Sequence, residues 1–216
     1  MELDTLKDRM WKAGVIPVIA IDSPDSAFPM ADALIEGGLA VAEITFRTDA
    51  AAGVISALKE KRPDILLGAG TILSEENLEK AVSCGAAFGV SPGFNPAIVK
   101  KAIEMGFPFF PGILTPSEIE QGLALGVDVL KFFPAEVSGG TAMIKALAAP
   151  YAHLGVKFIP TGGVTIKNLE EYLALSPVLS VGGTWIAKKD AIAAGRWDEI
   201  KKNAREATAV IRRVRG

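Results

Sequence analysis

The sequence predicts an α/β fold, a single (β/α)8 barrel of the TIM type over residues 1–216 with an extra N-terminal helix. Three observations carry this expectation. Short apolar or β-branched runs alternate with longer amphipathic stretches, and this pattern recurs eight times. The runs end near Ile21, Thr45, Thr71, Ser91, Gly112, Phe132, Pro160 and Gly183, at spacings of 20 to 28 residues. Strands and helices alternating on that rhythm make βα units around a parallel sheet, and eight of them suit a closed barrel better than an open sheet of about five or six strands. Half the chain is apolar, enough for a large buried core, and no linker or low-complexity tract divides it.

The elements carry their own signals. A helix over residues 5–13 precedes the first strand, and one over 197–214 follows the last. Asp22-Ser-Pro-Asp, Ser74-Glu-Glu-Asn and Thr115-Pro-Ser-Glu read as helix starts, while Gly37-Gly38, Gly85, Gly106 and Gly126 read as helix ends. Cys84 falls at a helix end, where a packed small side chain is expected rather than a reactive thiol. His153 falls in an expected surface loop.

Composition excludes several function classes. The net charge of -2 and the lack of any basic run beyond Arg-Arg-Val-Arg at the C-terminus argue against a nucleic-acid partner. The chain opens without the basic-then-apolar order of a signal peptide, and no apolar run reaches the ~18 residues that span a bilayer, so a soluble cytoplasmic protein is expected. One cysteine and one histidine leave no disulfide and no ordinary zinc cage. A carboxylate-bound magnesium stays open on composition alone.

In a barrel the reactive side chains come from the C-terminal ends of the strands. Lys131 ends the apolar run Val127-Asp-Val-Leu-Lys, where an ammonium is costly to desolvate. A neutral amine there is a nucleophile towards carbonyl carbon, whereas a lysine paired with a carboxylate is purely structural. Glu43, within Ala40-Val-Ala-Glu-Ile-Thr, is either a proton shuttle or the ion-pair partner of Lys131 or Arg47. Arg47 suits a bidentate grip on carboxylate or phosphate, or is a solvated loop residue. Gly162-Gly163 and Gly183-Thr184 follow the seventh and eighth strands, where barrels commonly hold phosphate through bare backbone N–H groups. Thr71, Pro92, Phe133 and Thr161 fall at neighbouring strand ends, as pocket walls or as ordinary packing.

These residues sit in strings that closely resemble the family of 2-keto-3-deoxy-6-phosphogluconate (KDPG) and 4-hydroxy-2-oxoglutarate (KHG) aldolases. The strings are Glu-Ile-Thr-Phe-Arg-Thr (43–48), Gly-Ala-Gly-Thr (68–71), Ser-Pro-Gly (91–93), Pro-Gly-Ile-Leu-Thr-Pro (111–116), Lys-Phe-Phe-Pro-Ala-Glu (131–136), Pro-Thr-Gly-Gly (160–163) and Val-Gly-Gly-Thr-Trp (181–185). The resemblance runs nearly end to end. It implies a class I aldolase of the Entner-Doudoroff route, needing no cofactor or metal, acting on a phosphorylated 2-keto-3-deoxy sugar acid and assembling as a homotrimer in the cytoplasm. It further implies Lys131 as the Schiff-base lysine and Glu43 as proton acceptor and donor. Arg47 and Thr71 become the pyruvate-carboxylate site, and Gly162, Gly163, Gly183 and Thr184 the phosphate end. Thr161 is then a residue governing stereoselectivity, with Pro92 and Phe133 lining the pocket. Thr184 departs from the serine usual in the family but retains a hydroxyl. Two rival readings are a metal-free phosphosugar isomerase or epimerase, with Glu43 as base and Lys131 stabilising an enolate, and a non-catalytic phosphate-binding barrel.

Overall fold

In the computed structural model, which describes residues 2–216, strand and helix alternate along the chain. Met1, where the expected domain begins, lies outside the described residues. Helix α1 (Leu3–Ala13) precedes β1 (Val15–Ile19), and α2 (Ala27–Glu36), β2 (Val41–Thr45), α3 (Ala51–Lys61), β3 (Leu66–Gly70), α4 (Glu75–Ser83) and β4 (Phe88–Val90) follow. The chain continues through α5 (Pro96–Glu104), β5 (Phe109–Phe110), β6 (Gly112–Ile113), α6 (Pro116–Ala124), β7 (Val129–Phe132) and α7 (Gly140–Ala148). It ends with β8 (Lys157–Pro160), α8 (Leu169–Leu173), β9 (Val181–Gly183), α9 (Lys189–Ala193) and α10 (Trp197–Arg215). His153 lies in a short 3-10 helix, Ala149–Leu154, rather than in the expected loop, and is exposed.

Helix starts form where local side chains satisfy free backbone N–H groups. Ser74 accepts from Asn77 N at 3.1 Å to open α4. Thr115 and Glu118 form a reciprocal capping box around Pro116 to open α6.

The strand pairings among the described residues are parallel. They form a six-stranded sheet in the order β5-β4-β3-β2-β1-β9 and a three-stranded sheet in the order β6-β7-β8. The fifth of the eight strand-like runs expected from the sequence is divided at Pro111, which has no N–H to continue a ladder. Its carbonyl still accepts from Lys131 N at 2.9 Å. Two isolated parallel bridges, Phe158 to Val178 and Thr161 to Gly182, link β8 and its C-terminal end towards β9. The result is a strongly curled parallel sheet.

Two apolar clusters form on its two sides. Ile16, Val41, Phe88, Val129 and Ile159 meet inside the curl, together with Leu6 and Met10 of α1. Leu6 and Met10 are fully buried, each contributing roughly 1.5–3 kcal/mol of burial, so α1 plugs the N-terminal end of the strands. The larger cluster fills the space between strands and outer helices. Helix α10 is pinned at its end by Arg215, which donates to the carbonyls of Trp11, Val178 and Leu179 at 2.7 to 2.9 Å.

Candidate active site

Strand alternation puts the two charged candidates on the inner face. Val41 and Val129 belong to the inner cluster, so Glu43 and Lys131, two residues further along β2 and β7, point to the same side. Both are buried, with side-chain exposures of 3% and 7%. Lys131 Nζ lies 3.5 Å from Glu43 Oε1, and this oxygen accepts no hydrogen bond among the described residues. A buried pair with an unsatisfied oxygen contributes little to stability, and its open geometry suits proton transfer. The Phe133 ring flanks the ammonium, with its centroid 5.6 Å from Nζ.

Gly70 makes room for the carboxylate. A Cβ at this position would collide with Glu43 Oε1 and stand 2.8 Å from its Cδ and Cγ. Beyond Gly70 the chain enters strained backbone, because Thr71 has φ 59°, a region costly to a β-branched residue. The backbone hydrogen bonds from Phe46 N to Gly70 O (2.8 Å) and from Ile72 N to Val90 O (3.1 Å) brace it on both sides. No side-chain hydrogen bond or ion pair joins Thr71 to Lys131 or Arg47 among the described residues. Arg47 is oriented from its own strand: its Nε donates to Thr45 Oγ1 at 3.1 Å, and Thr45 donates to Ile19 O at 2.9 Å. Pro92 is packed where a side chain at Gly112 would strike its carbonyl.

The loop after β8 takes its shape from Gly162, at φ 98°, and Gly163, at φ 82°, a region favouring glycine. It is tied to the Lys131 strand, as Ala135 N donates to Thr161 O at 2.8 Å and Glu136 N to Gly162 O at 3.0 Å. Thr161 is buried against Gly182, whose missing side chain leaves space for the threonine hydroxyl. Gly183 packs beneath the Trp185 ring, and Trp185 Nε1 is buried without an acceptor.

A cavity of about 590 Å³ opens beside this loop, walled by Arg47, Gly163, Thr165, Thr184, Trp185 and Lys188 among others. The structure therefore brings Arg47 next to the expected phosphate residues Gly163 and Thr184. Lys131, Glu43, Thr71, Pro92, Phe133, Thr161, Gly162 and Gly183 are not part of that wall. Among the described residues, no group of three or more His, Cys, Asp or Glu side chains is placed to hold a metal ion, and no helix is long and apolar enough to cross a membrane.

A sequence model of the family described as KDPG and KHG aldolase matches residues 6–203. The chain belongs to this family. Among KDPG/KHG aldolase relatives, it is 45% identical over 205 residues to the 2-dehydro-3-deoxy-phosphogluconate aldolase of Haemophilus influenzae, covering 95% of this chain and 96% of the relative. The KHG/KDPG aldolase of Escherichia coli K12 is 43% identical over 193 residues, 89% of this chain and 90% of the relative. A crystal structure of the Legionella pneumophila KDPG aldolase, with pyruvate captured as a covalent carbinolamine, superposes with TM-score 0.88 at 38% identity, covering 93% of this chain and 97% of that one. The Zymomonas mobilis ZM4 enzyme, solved with 3-phosphoglycerate, gives TM-score 0.87 at 37% identity, with 97% of each chain covered.

Several supporting residues escape a reading of the sequence. Gly70 and Gly182 stand in glycine-rich strings, yet which side chain each accommodates depends on a neighbouring strand. The buried Tyr172 phenol donates to Glu136 Oε1, linking α8 to the loop after β7. Burial, and then the Glu136 carboxylate, pushes that phenol well above its usual range.

Proposed function

We propose that this chain is a class I aldolase that cleaves 2-dehydro-3-deoxy-6-phosphogluconate to pyruvate and glyceraldehyde 3-phosphate, and 4-hydroxy-2-oxoglutarate to pyruvate and glyoxylate. The observation that carries this reading is the buried Lys131–Glu43 pair, 3.5 Å apart, in a chain of the KDPG/KHG aldolase family. Proton transfer within the pair frees the Lys131 amine, which adds to the C2 ketone to give a carbinolamine. Loss of water leaves an iminium that accepts the electrons of the C3–C4 bond. A Glu43 carboxylate takes the C4 hydroxyl proton as that bond breaks, releasing the aldehyde and leaving an enamine. The carboxyl returns a proton to C3, directly or through water, and hydrolysis of the resulting imine releases pyruvate and regenerates Lys131.

Arg47 and Thr71 are assigned to the pyruvate carboxylate, with Thr71's strained backbone as the supporting observation. Gly162, Gly163, Gly183 and Thr184 are assigned to the phosphate, Thr161 to stereochemistry, and Pro92 and Phe133 to the pocket. The carbinolamine in the Legionella relative supports the covalent route over the isomerase alternative, and the 3-phosphoglycerate in the Zymomonas relative supports a phosphate end. The inner apolar cluster, drawn from both sheets, and the Thr161–Gly182 bridge support reading the curled sheet as a closed (β/α)8 ring. Family membership supports one domain over 1–216, assembled as a cytoplasmic homotrimer.

Reduction with borohydride in the presence of pyruvate tests the mechanism. One adduct is expected, on the Lys131 peptide. An adduct on a different lysine, or none, refutes it.

A further inference from the structure

The charges around the 590 Å³ cavity are unevenly neutralised. Three charged side chains follow Ala187 on its wall: Lys188, Lys189 and Asp190. Lys189 is paired with Asp22 at 2.8 Å and Asp190 with Arg196 at 2.6 Å. The Lys188 ammonium has no ion pair or hydrogen bond among the described residues. Arg47, on the same wall, engages the neutral Thr45 hydroxyl through its Nε and forms no ion pair among the described residues. Both nearby carboxylates are thus held by other cations, and the Lys188 charge faces a space shared with Gly163 and Thr184. The exposed Lys189–Asp22 pair also joins the segment carrying Lys188 to the loop after β1.

We propose that Lys188 contacts the phosphate of the substrate and makes the site selective for 2-keto acids whose far end carries a phosphate dianion. This rests on the aldolase reading above. An ammonium meets a dianion as a point charge with rotatable donors, so the contribution appears as affinity for the phosphorylated substrate. A substrate such as 4-hydroxy-2-oxoglutarate, which has no phosphate, gains much less from it. Exposed charge contacts weaken with salt.

The test compares the full-length wild type with Lys188→Ala and Lys188→Arg, measuring pyruvate release from the phosphorylated aldol and from 4-hydroxy-2-oxoglutarate. In Lys188→Ala the ratio of the two kcat/KM values falls about five- to tenfold, through KM for the phosphorylated substrate. Lys188→Arg restores the ratio to within about twofold, since the charge is kept. In the wild type the ratio shrinks between about 0.05 and 0.5 M salt. A ratio unchanged in Lys188→Ala, or an equal loss of kcat on both substrates, overturns the assignment while leaving the aldolase reading intact. Failure of the wild type to release pyruvate from either substrate overturns both.

Discussion

Replacing Lys131 with methionine removes the ammonium but keeps a side chain of similar length, leaving the Glu43 carboxylate 3% exposed and without its counter-charge. Among the described residues Glu43 Oε1 accepts no hydrogen bond that could compensate. Stripping one partner from a buried pair costs about 3–5 kcal/mol, because a charge is left desolvated and unpaired. In a chain of this size each kcal/mol lowers Tm by roughly 2–4 °C, so Lys131→Met is expected to melt about 6–20 °C below wild type. Glu43→Gln added to it removes the stranded charge, and the double variant recovers at least half of that loss. Differential scanning calorimetry at neutral pH measures the cycle, while pyruvate release is abolished in both Lys131 variants. The decisive quantity is the coupling, about 2 kcal/mol or more. A Lys131→Met protein melting within about 2 °C of wild type would show that the carboxylate is neither desolvated nor dependent on Lys131.

Gly70→Ala is expected to push Glu43 away from Lys131, since the new Cβ would stand 2.8 Å from the glutamate Cδ. Its kcat/KM should fall by about 10²-fold or more with about 1–3 kcal/mol of destabilisation, and near-wild-type kinetics would refute the packing argument. Tyr172→Phe tests the buried phenol, whose elevated folded-state pKa means that the neutral form is favoured by folding. Its stabilising contribution is therefore fully present below the ordinary phenol value of 10 and is lost as pH climbs above it. Urea titrations between pH 7 and 11 should give a flatter stability profile above pH 10 for the variant, and parallel profiles would contradict this.

Much of the candidate site is legible in the sequence because strand periodicity and the barrel rule act together. A charged residue at the end of an apolar strand is anomalous in the sequence, and that anomaly points to Lys131 and Glu43 as candidates. Spacing could not decide whether they were a structural or a chemical pair, since the choice depends on a 3.5 Å approach across strands far apart in the chain. The sequence offers Arg47 as an anion grip or a solvated loop residue, and its position beside Gly163 and Thr184 follows from the curl of the sheet. Pro111 is plain in the sequence but the split it causes is not, because a proline breaks a ladder only where its N–H would have been used.

The sequence by itself determined the alternation of strands and helices, their approximate ends, and the family, for these depend on local periodicity, turn residues and contiguous strings. The pairing of Lys131 with Glu43 needed the tertiary structure. So did the space that Gly70 and Gly182 leave for Glu43 and Thr161, the phenol contact between Tyr172 and Glu136, and the uncompensated charge of Lys188. Each arises where side chains from distant strands and loops converge, and the distances and burial that set their electrostatics exist only once the sheet has curled and packed.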